Sequence, residues 1–598
     1  MESFRPIYLK LFVVLIAMVF VGRLFSMQVT NSTEGSTVRR FIQYPYRGLI
    51  YDREGRLLVT NEPQFDLMVD SRRMQMNDLE GFCEMLGITP EDYAKRMESL
   101  KRDRYQGSVF FEKLSNLEYA KIQDKLVHYP GFYVEPRTTR KYPHTSLGNT
   151  LGYTGEISPA RLAADTAKYY VQGDYIGISG LERKYEEHLR GKRGVKYMRI
   201  GPHGNVVGDF NGGNSDTLAI AGGDLYTTLD LELQQYAEQL MAGKVGSVVA
   251  IEPSTGEILA MVSSPSYDPN QLTGRLFSKN FGAISSDSLK PLFTRPTQAT
   301  YPPGSIFKII QSLIALQEGV IRAREQIYCD GTLIGDHARP GNYDVRRGIA
   351  VSSNNYFYKV FYRIINQRKD PNPFIDARYG LETWGEYVSN FGLGSPLGID
   401  MPSERGGLIP SLQTYDRVYG EKGWRFSNIY SLSIGQGEML MTPLQMANLA
   451  AIMANRGYYY TPHLVKGVGE DGGPLPEFTV KHETGIDSVH FDPVLDGMAE
   501  VVNNTARLAV IRDLPIIGKT GTAENPHGHD HSVFMAFAPR ENPQIAIAVY
   551  VENAGWGGLA AGGTASLLIE KYIKGEITRP WVESYILESR YLQNMPEL

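Results

Sequence analysis

The sequence predicts a multidomain chain whose largest part has an α/β fold of the α+β type, an antiparallel sheet flanked by helices. Strand-like segments stand at both ends of this part, at 246–263 and again at 514–523, 531–539 and 544–552, while helical patterns dominate from about 300 to 510. Strands at both ends with helices between imply one sheet assembled from both termini. The 598 residues exceed what one ordinary core holds, so two or more domains are expected.

An apolar run at the N-terminus predicts one transmembrane helix over residues 7–29, long enough to cross a hydrocarbon layer of about 30 Å if Lys10 and Arg23 snorkel. A cleaved signal peptide is the alternative, but no small-x-small cleavage site follows RLFSMQV. Arg5 and Lys10 favour a cytoplasmic tail at 1–6 by the positive-inside tendency. Everything after about residue 30 is therefore expected outside the cytoplasm.

The composition excludes several classes of protein. With 61 Lys+Arg against 66 Asp+Glu, the net charge of −5 lacks the basic excess of a nucleic-acid binder, so no nucleic acid is expected as a partner. Only Cys83 and Cys329 are present, which excludes a disulfide-dense scaffold. Two cysteines leave the redox compartment open.

The chain changes character near residue 225. Residues 30–225 are polar and mixed and contain no clustered nucleophile. The segment 225–241 then gives a strand followed by an amphipathic helix, and 246–263 gives two apolar runs around a Pro/Ser/Thr/Gly turn, the pattern of a β-hairpin. We therefore expect an N-terminal domain at 30–225, a second domain at 226–580 that ends after a helix near 561–573, and a C-terminal tail at 581–598.

A serine and a lysine three residues apart begin an otherwise apolar helix in YPPGSIFKII (301–310). Positions i and i+3 share one helix face, so the Ser305 hydroxyl group and the Lys308 amine can come within hydrogen-bond reach. The apolar surroundings predict burial, which disfavours a charged amine and makes lysine a usable base. The Pro-Pro-Gly before the serine suits a sharp entry into the first turn, where the helix dipole favours developing negative charge.

Ser-x-x-Lys alone is weak, because an N-capping serine followed by a surface lysine gives the same pattern. Two further elements accompany it. VSSNNYFY (351–358) contains Ser352 and Asn354 in a Ser-x-Asn spacing, and GKTGTA contains Lys519, Thr520 and Gly521 at the end of a predicted strand.

The order Ser-x-x-Lys, Ser-x-Asn, Lys-Thr-Gly resembles the penicillin-binding proteins and serine β-lactamases. YRGLIYDREGRLL (46–58) and GISGLERKYEEHLRG (177–191) are similar to the pedestal and linker regions of class B penicillin-binding proteins. The segments 392–407, 433–447 and 530–539 resemble their transpeptidase domain. SSNNYFY and DHSVFMAFAP carry a finer resemblance, to the elongation-type penicillin-binding protein 2 group. The resemblance implies a penicillin-binding/serine β-lactamase-like transpeptidase domain and an elongated pedestal domain of the dimerisation type.

The resemblance also implies a reaction. Ser305 attacks the carbonyl group of a D-Ala-D-Ala stem peptide with Lys308 as proton acceptor, D-alanine leaves, and an acyl-enzyme forms. An amine of a neighbouring stem peptide then attacks the ester and forms the cross-link. The backbone N–H groups of Ser305 and Thr522 form the oxyanion hole.

Further roles follow from the other two motifs by the same resemblance. Ser352 relays a proton to the leaving group, and Asn354 binds the substrate amide. Lys519 and Thr520 hold the terminal carboxylate, and Lys519 helps to keep Lys308 neutral by like-charge repulsion. Gly521 leaves the strand edge open to an added peptide strand. The alternative register of the second motif pairs Ser353 with Asn355. It is disfavoured because the register with Ser352 and Asn354 aligns the following YFY with the sequences of the family.

Two groups of residues have side chains of the types that bind metals, and whether either group binds a metal is left open. The preferred prediction is no metal and no cofactor. Some relatives carry zinc behind the nucleophile helix, but this sequence has no clear full ligand set there. Polar His/Gly/Asp loops between strands are common without metal. Gly435-Gln436-Gly437 is interpreted as a structural turn near the cleft. The two groups are Cys329, Asp330, Asp336 and His337, and His527, His529, Asp530 and His531.

The favoured function is a membrane-anchored D,D-transpeptidase that cross-links peptidoglycan stem peptides during cell-wall elongation and is acylated by β-lactams. A D,D-carboxypeptidase or β-lactamase-like hydrolase is the alternative enzyme, although no Glu-x-x-Leu-Asn supplies a class A deacylating glutamate. A non-catalytic β-lactam sensor or scaffold fits poorly, because the tail is too short for a signalling domain. The resemblance implies a RodA-type glycosyltransferase and the MreC scaffold as partners, and an inner-membrane location with the bulk of the chain in the periplasm.

Overall fold

A computed structural model describes residues 5–26, 37–71, 73–100, 108–201, 206–469 and 472–592. The predicted tail at 1–6 and anchor at 7–29 lie partly outside these residues, and so does the end of the predicted C-terminal tail. Contacts divide the chain into two compact units that do not follow its linear order. The first comprises Met1–Gly48, Pro63–Thr138 and Arg190–Gly222, and the second comprises Leu49–Glu62, Thr139–Leu189 and Gly223–Leu598.

The strands have two to 13 residues, and those of the central sheet in the second unit have six to eight. In chain order they are β1 (Thr37–Gln43), β2 (Ile50–Tyr51), β3 (Leu57–Val69), β4 (Ser108–Leu114), β5 (Phe132–Lys141), β6 (Thr154–Glu156), β7 (Tyr175–Gly177), β8 (Gly194–Ile200), β9 (Val206–Asp209), β10 (Leu225–Thr227), β11 (Gly246–Ile251), β12 (Ile258–Ser264), β13 (Ile327–Cys329), β14 (Gly341–Tyr343), β15 (Tyr458–Tyr460), β16 (Val465–Val468), β17 (Lys481–Glu483), β18 (Ile517–Ala523), β19 (His531–Ala538) and β20 (Ile545–Val551).

Most of the helices lie in the second unit. In chain order they are α1 (Arg5–Phe25), α2 (Leu79–Leu86), α3 (Pro90–Ser99), α4 (Asn116–Ile122), α5 (Gly148–Leu151), α6 (Pro159–Ala163), α7 (Gly180–Lys184), α8 (Glu186–Leu189), α9 (Leu231–Leu240), α10 (Phe277–Ser285), α11 (Arg295–Gln298), α12 (Lys308–Gln317), α13 (Val345–Ala350), α14 (Asn354–Ile365), α15 (Pro373–Asn390), α16 (Leu412–Tyr419), α17 (Phe426–Ile429), α18 (Pro443–Asn455), α19 (Phe491–Asn504), α20 (Ala560–Lys574) and α21 (Pro580–Glu588).

The first unit contains two separate β arrangements. Strands β1, β8 and β9 form an antiparallel three-stranded sheet. Residues 65–69 of β3 pair with β4 and contribute to an aromatic core in which Phe82 packs against the rings of Phe110 and Phe132.

The central sheet of the second unit has the strand order β12-β11-β20-β19-β18, and every pairing in it is antiparallel. Its strands are almost fully buried because helices cover both faces, α18 on one and α20 on the other. The predicted hairpin at 246–263, the three predicted C-terminal strands and the helix predicted near 561–573 are all confirmed. The predicted α+β architecture, a sheet assembled from both ends of the domain, is therefore confirmed.

Two segments of the predicted N-terminal domain belong to the second unit. Strand β2 pairs in parallel with β10, and Ile50, Leu58 and Leu181 are buried in the same core as Ile306 of the serine turn. The division near residue 225 stays a prediction.

Helix α18 ends at Asn455, and a glycine follows one residue after its left-handed cap. Arg456 takes the left-handed conformation, with φ of 56°, and Gly457 follows. Gly457 has a φ of 118°, and a Cβ atom there would stand 3.2 Å from the ring of Phe491, so both the backbone conformation and the packing favour glycine.

Helix α1 is long and apolar enough to cross a membrane over Ile7–Phe25, and its side chains are exposed. This agrees with the predicted single membrane anchor as far as the described residues reach.

Candidate active site

The Ser-x-x-Lys motif lies across the junction of two helix types. Ser305 is in a 3₁₀ turn, Gly304–Phe307, and Lys308 is the first residue of α12. The helix is buried along nearly its whole length, as its apolar sequence predicts, while Ser305 itself is half-buried. The turn therefore presents one hydroxyl group at the edge of a packed core.

Two backbone segments press against this turn. The Gly304 N–H group donates to the Gly435 carbonyl oxygen at 2.9 Å. A Cβ atom on Gly435 would stand 2.2 Å from the Gly304 carbonyl oxygen, and one on Gly304 would stand 3.0 Å from the Thr522 carbonyl oxygen. Both glycines also have positive φ, 72° and 56°. Glycine at 435 and 304 thus lets the serine turn approach β18 and the Gly435-Gln436-Gly437 turn closely.

The Lys308 ammonium group points at the second motif. Its Nζ atom donates to the Asn354 Oδ1 atom at 2.6 Å and to the Ser352 carbonyl oxygen at 2.7 Å, with the Ser352 Oγ atom at 3.3 Å. Among the described residues, the Ser305 hydroxyl group makes no hydrogen bond. The structure therefore differs from the expected Ser305–Lys308 hydrogen bond, because the three oxygens of the second motif occupy the amine.

Lys519, which belongs to the third motif, approaches the hydroxyl group of Ser352. Its Nζ atom donates to the Ser352 Oγ atom at 3.0 Å and to the Thr520 carbonyl oxygen at 2.8 Å. The structure thus brings residues of all three motifs together around Ser352.

Both amines have lowered pKa values. Burial lowers the pKa of Lys308 to about 7, against an opposing attraction from Asp336. Burial, and then the charge of Lys308, lowers the pKa of Lys519 well below its usual range. A neutral amine three residues from the serine is therefore accessible near neutral pH.

The second motif has an unusual backbone. Ser352 has a φ of 54°, which is rare for a residue with a side chain. Ser353 caps α14 by accepting a hydrogen bond from the Tyr356 N–H group. This conformation directs Ser352 and Asn354 towards the two lysines, whereas Ser353 and Asn355 are fully buried.

Asp336 holds the other face of this motif. Its Oδ2 atom accepts from the Ser353 hydroxyl group at 2.7 Å and from the Asn355 N–H group at 2.9 Å. Burial opposes ionisation, but these bonds and one from the Ala338 N–H group outweigh it and lower the pKa of Asp336. The sequence offered Asp336 only as a metal ligand, because no local spacing links a residue to a motif 17 positions away.

Strand β18 carries the third motif at the edge of the central sheet. Lys519, Thr520, Gly521 and Thr522 pair on one side only, with β19. Among them Lys519 is fully buried, while the two threonines are half-buried. The free edge of β18 is where an extended peptide can add as a further strand.

A cavity of about 510 Å³ continues from this region, lined by Pro302, Gln436, Gly437, Glu524, Asn525, Pro526 and Asp530. Pro302 leads into the serine turn, and Glu524 directly follows β18. The cavity is large enough for part of a peptide ligand.

The geometry of three motifs around one serine invites comparison with known proteins. The model of the penicillin-binding protein transpeptidase domain matches residues 246–570, more than half of the chain. The chain belongs to the penicillin-binding protein family. The model of the penicillin-binding protein dimerisation domain matches residues 42–227.

Individual penicillin-binding proteins are similar over nearly the whole length. The peptidoglycan D,D-transpeptidase MrdA of Escherichia coli strain K12 is 30% identical over 619 aligned positions, covering 96% of this chain and 94% of that protein. The penicillin-binding protein 2 of Helicobacter pylori, solved in complex with MreC, has a TM-score of 0.74 at 25% identity, covering 90% of this chain and 99% of that one. A chain from a peptidoglycan synthase complex that coordinates polymerisation and crosslinking has a TM-score of 0.69 at 26% identity and covers 96% of this chain and 99% of that one.

Neither candidate metal group of this penicillin-binding protein fits a bound ion. Within the described part of the chain, no three His, Cys, Asp or Glu side chains are placed to hold a metal. The Asp336 carboxylate is occupied by hydrogen bonds, and the His337 ring packs against Trp556. The loop behind the nucleophile helix is thus held by hydrogen bonds of protein groups.

Proposed function

We propose that the chain is a membrane-anchored peptidoglycan D,D-transpeptidase that joins stem peptides through an acyl-enzyme on Ser305. The observation that carries the proposal is the fully buried Lys308 amine, which has a pKa of about 7 and stands three residues after a half-buried serine. A base with a pKa near the working pH is what deprotonation of a serine requires.

In the first step, Ser305 Oγ forms a bond to the carbonyl carbon of the penultimate D-alanine, and the proton of Oγ passes to Lys308. The negative oxygen of the tetrahedral intermediate lies between the backbone N–H groups of Ser305 and Thr522. The bond from carbon to the amine of the terminal D-alanine then breaks. Ser352 contacts both lysines, and it passes the proton to that amine.

Asn354, Lys519 and Thr520 hold the donor peptide. Asn354 binds the amide of the donor along the free edge of β18, and Gly521 leaves that edge open. Lys519 and Thr520 bind the terminal carboxylate. Because that carboxylate brings a negative charge to a buried amine, donor binding favours the protonated form of Lys519.

In the second step, an amine of a neighbouring stem peptide attacks the ester carbonyl. It loses a proton to Lys308, and Ser305 recovers its proton as the ester bond breaks. The products are the cross-linked peptide and the free enzyme, so two easier steps replace one difficult one.

The chain is expected to work at the outer face of the inner membrane, with α1 as a single-pass anchor and the rest in the periplasm. A glycosyltransferase of the RodA type supplies the glycan strand, and MreC is a further partner. The complexes in which the similar structures were solved support both partners. We place the pedestal at 30–225 and the transpeptidase domain at 226–580.

The activity is tested with the full chain in detergent and uncross-linked glycan carrying pentapeptide stems. Transpeptidation releases D-alanine and gives muropeptide dimers, both of which disappear in Ser305→Ala. Release of D-alanine with no dimers at saturating acceptor would instead identify a D,D-carboxypeptidase. Turnover of a β-lactam without a lasting adduct would identify a β-lactamase.

A further inference from the structure

A polar network with little exposure to water lies four residues before the nucleophile. The Tyr301 hydroxyl group donates to the Glu552 Oε1 atom at 2.7 Å, and the same carboxylate oxygen stands 3.6 Å from the Arg295 Nε atom. Arg295 is 6% exposed, and it also donates to the Leu289 carbonyl oxygen at 2.7 Å. The Glu552 side chain is 19% exposed, so an acid and a base are largely shielded from water at the end of strand β20, next to the chain that leads into the serine turn.

Tyr301 is fixed in three independent ways. Its ring stacks on Tyr550 with a centroid distance of 3.9 Å and an interplanar angle of 16°. Its backbone exchanges two hydrogen bonds with Met441, at 2.9 and 2.8 Å. Glu552 then fixes the hydroxyl end of the side chain, and burial followed by this carboxylate raises the pKa of Tyr301 well above its usual range.

The short chain between Tyr301 and Ser305 is stiff. Two prolines, Pro302 and Pro303, have φ fixed by their rings, and Gly304 is held by its hydrogen bond to Gly435 and its close approach to Thr522. A shift at Tyr301 therefore passes to Ser305 instead of being absorbed between them.

A ring without a hydroxyl group would stack on Tyr550 equally well. Stacking alone would then not account for the Glu552 carboxylate, because an ion pair largely shielded from water contributes little net stability. The hydrogen bond to Glu552 adds a restraint that stacking does not provide. It stops the Tyr301 ring from sliding or turning within the plane of the ring.

We propose that Arg295, Glu552 and Tyr301 are positioning residues that hold the Ser305 hydroxyl group in register with Lys308 and the oxyanion hole. This rests on the proposed function, in which Ser305 is the nucleophile. The network sets the rate of acylation and leaves the noncovalent binding of the acylating agent unchanged, because Arg295, Glu552 and Tyr301 are not among the residues that line the 510 Å³ cavity.

The test is the acylation of the full-length chain by a fluorescent penicillin, with the noncovalent dissociation constant and the acylation rate constant measured separately. Tyr301→Phe keeps the ring and removes the hydroxyl group. We expect its acylation rate constant to fall by about 10- to 100-fold, since small misplacements of a reacting group have effects of this size. The dissociation constant is expected to stay within about 2-fold of the original. Glu552→Gln, which retains an acceptor for the Tyr301 hydroxyl group, is expected to lose less than Glu552→Ala.

Tyr236→Phe is the matched control. Tyr236 donates to the Glu583 Oε1 atom at 2.8 Å, the same chemistry in the same unit, but it lies on α9, remote in sequence from every motif residue. It is expected to lower the melting temperature as Tyr301→Phe does and to leave the acylation rate constant unchanged. Equal acylation in the Tyr301→Phe and original chains would overturn the positioning role. So would an equal loss in both tyrosine variants. Absence of any adduct in the original chain would instead refute the proposed function.

Discussion

At the residue scale, the central feature is one hydroxyl group shared by two buried amines. The Lys308 and Lys519 Nζ atoms both lie within hydrogen-bond distance of Ser352 Oγ, at 3.3 and 3.0 Å. Two ammonium groups cannot both stay charged at such a place, because burial and mutual repulsion oppose ionisation. Burial by itself lowers the pKa of Lys308 to about 7, so its neutral form can accept a proton near neutral pH.

We expect acylation to depend on pH through this amine. Burial lowers the pKa of Lys308 to about 7, so the neutral, proton-accepting form increases as pH rises through that value. The second-order rate constant for penicillin acylation should accordingly rise between about pH 5.5 and about pH 8.5 and then level off. Stopped-flow measurements across this range check it. A rate constant that is independent of pH would contradict the role of Lys308 as base.

Lys519 is expected to matter for carboxylate recognition more than for stability. Replacing it with alanine removes hydrogen bonds to the Ser352 Oγ atom and the Thr520 carbonyl oxygen and, among the described residues, no ion pair, so the loss of stability should be modest. We expect Lys519→Ala to reduce penicillin acylation by about 100-fold or more, with a small change in melting temperature.

Lys244→Ala is the control for this variant. Lys244 is another buried lysine, whose pKa burial lowers to about 8 and whose Nζ atom donates to the Ile586 carbonyl oxygen at 2.7 Å. Its loss should lower stability without affecting acylation. A parallel loss of stability and acylation in Lys519→Ala would make the role of Lys519 structural.

At the scale of elements, the serine turn depends on how closely three backbone segments approach one another. The Gly435 carbonyl oxygen accepts a hydrogen bond from the Gly304 N–H group of the serine turn. The Thr522 carbonyl oxygen of β18 also lies close to Gly304. Helix α12 then buries the apolar residues that follow the motif. The nucleophile is thus placed by main-chain contacts as well as by its own helix.

Gly435→Ala should therefore displace the nucleophile. Its Cβ atom would stand 2.2 Å from the Gly304 carbonyl oxygen, in addition to the strain of a φ of 72°. Gly319→Ala is the control, because Gly319 has a φ of 65° and nothing within 4 Å of the added atom. We expect Gly319→Ala to lose about 1 kcal/mol of unfolding free energy and no acylation. Gly435→Ala should lose more of both, as thermal melts and penicillin labelling would measure. Normal labelling of Gly435→Ala would show that the close approach is dispensable.

The sequence predicted those elements whose signal is local. The strands and the hairpin of the central sheet follow from apolar runs bounded by turn residues, and the buried nucleophile helix follows from residues such as Ile309 and Leu313. The contacts that place the site were not predictable. The link from Asp336 to Ser353 and the approach of Gly435 to Gly304 arise from tertiary packing, which leaves no spacing in the sequence.

At the scale of the whole molecule, each of the two compact units combines three segments that are separate in the sequence. Residues 49–62 lie in the second unit, where the Arg53 guanidinium group is 3.6 Å from Glu257 and donates to the Tyr572 hydroxyl group at 3.3 Å. Ile50 and Leu58 of this segment are buried in the same core as Ile306 of the serine turn. A fragment beginning at residue 225 would lack these residues, so the pedestal is best tested in the full-length chain.

We infer that the segment 46–58 transmits orientation between a RodA-type partner and the transpeptidase domain, and we therefore expect Arg53→Ala to lower the glycan polymerisation of that partner in a reconstituted complex. Penicillin acylation should change by less than about 2-fold, since Arg53 makes no contact with any motif residue. Arg540→Ala is the control, a surface arginine whose Nη2 atom is 2.8 Å from Asp496. Unchanged polymerisation in Arg53→Ala, with the complex intact, would reduce the segment to a passive spacer.

The proposed mechanism requires Ser305 as the nucleophile, and mass spectrometry after penicillin labelling tests this directly. The intact full-length chain should gain the mass of one penicillin, and peptide mapping should place it on Ser305. Ser305→Ala should gain no mass while retaining the melting temperature of the original chain. An adduct on another residue, or undiminished labelling of Ser305→Ala, would contradict the mechanism at its first step.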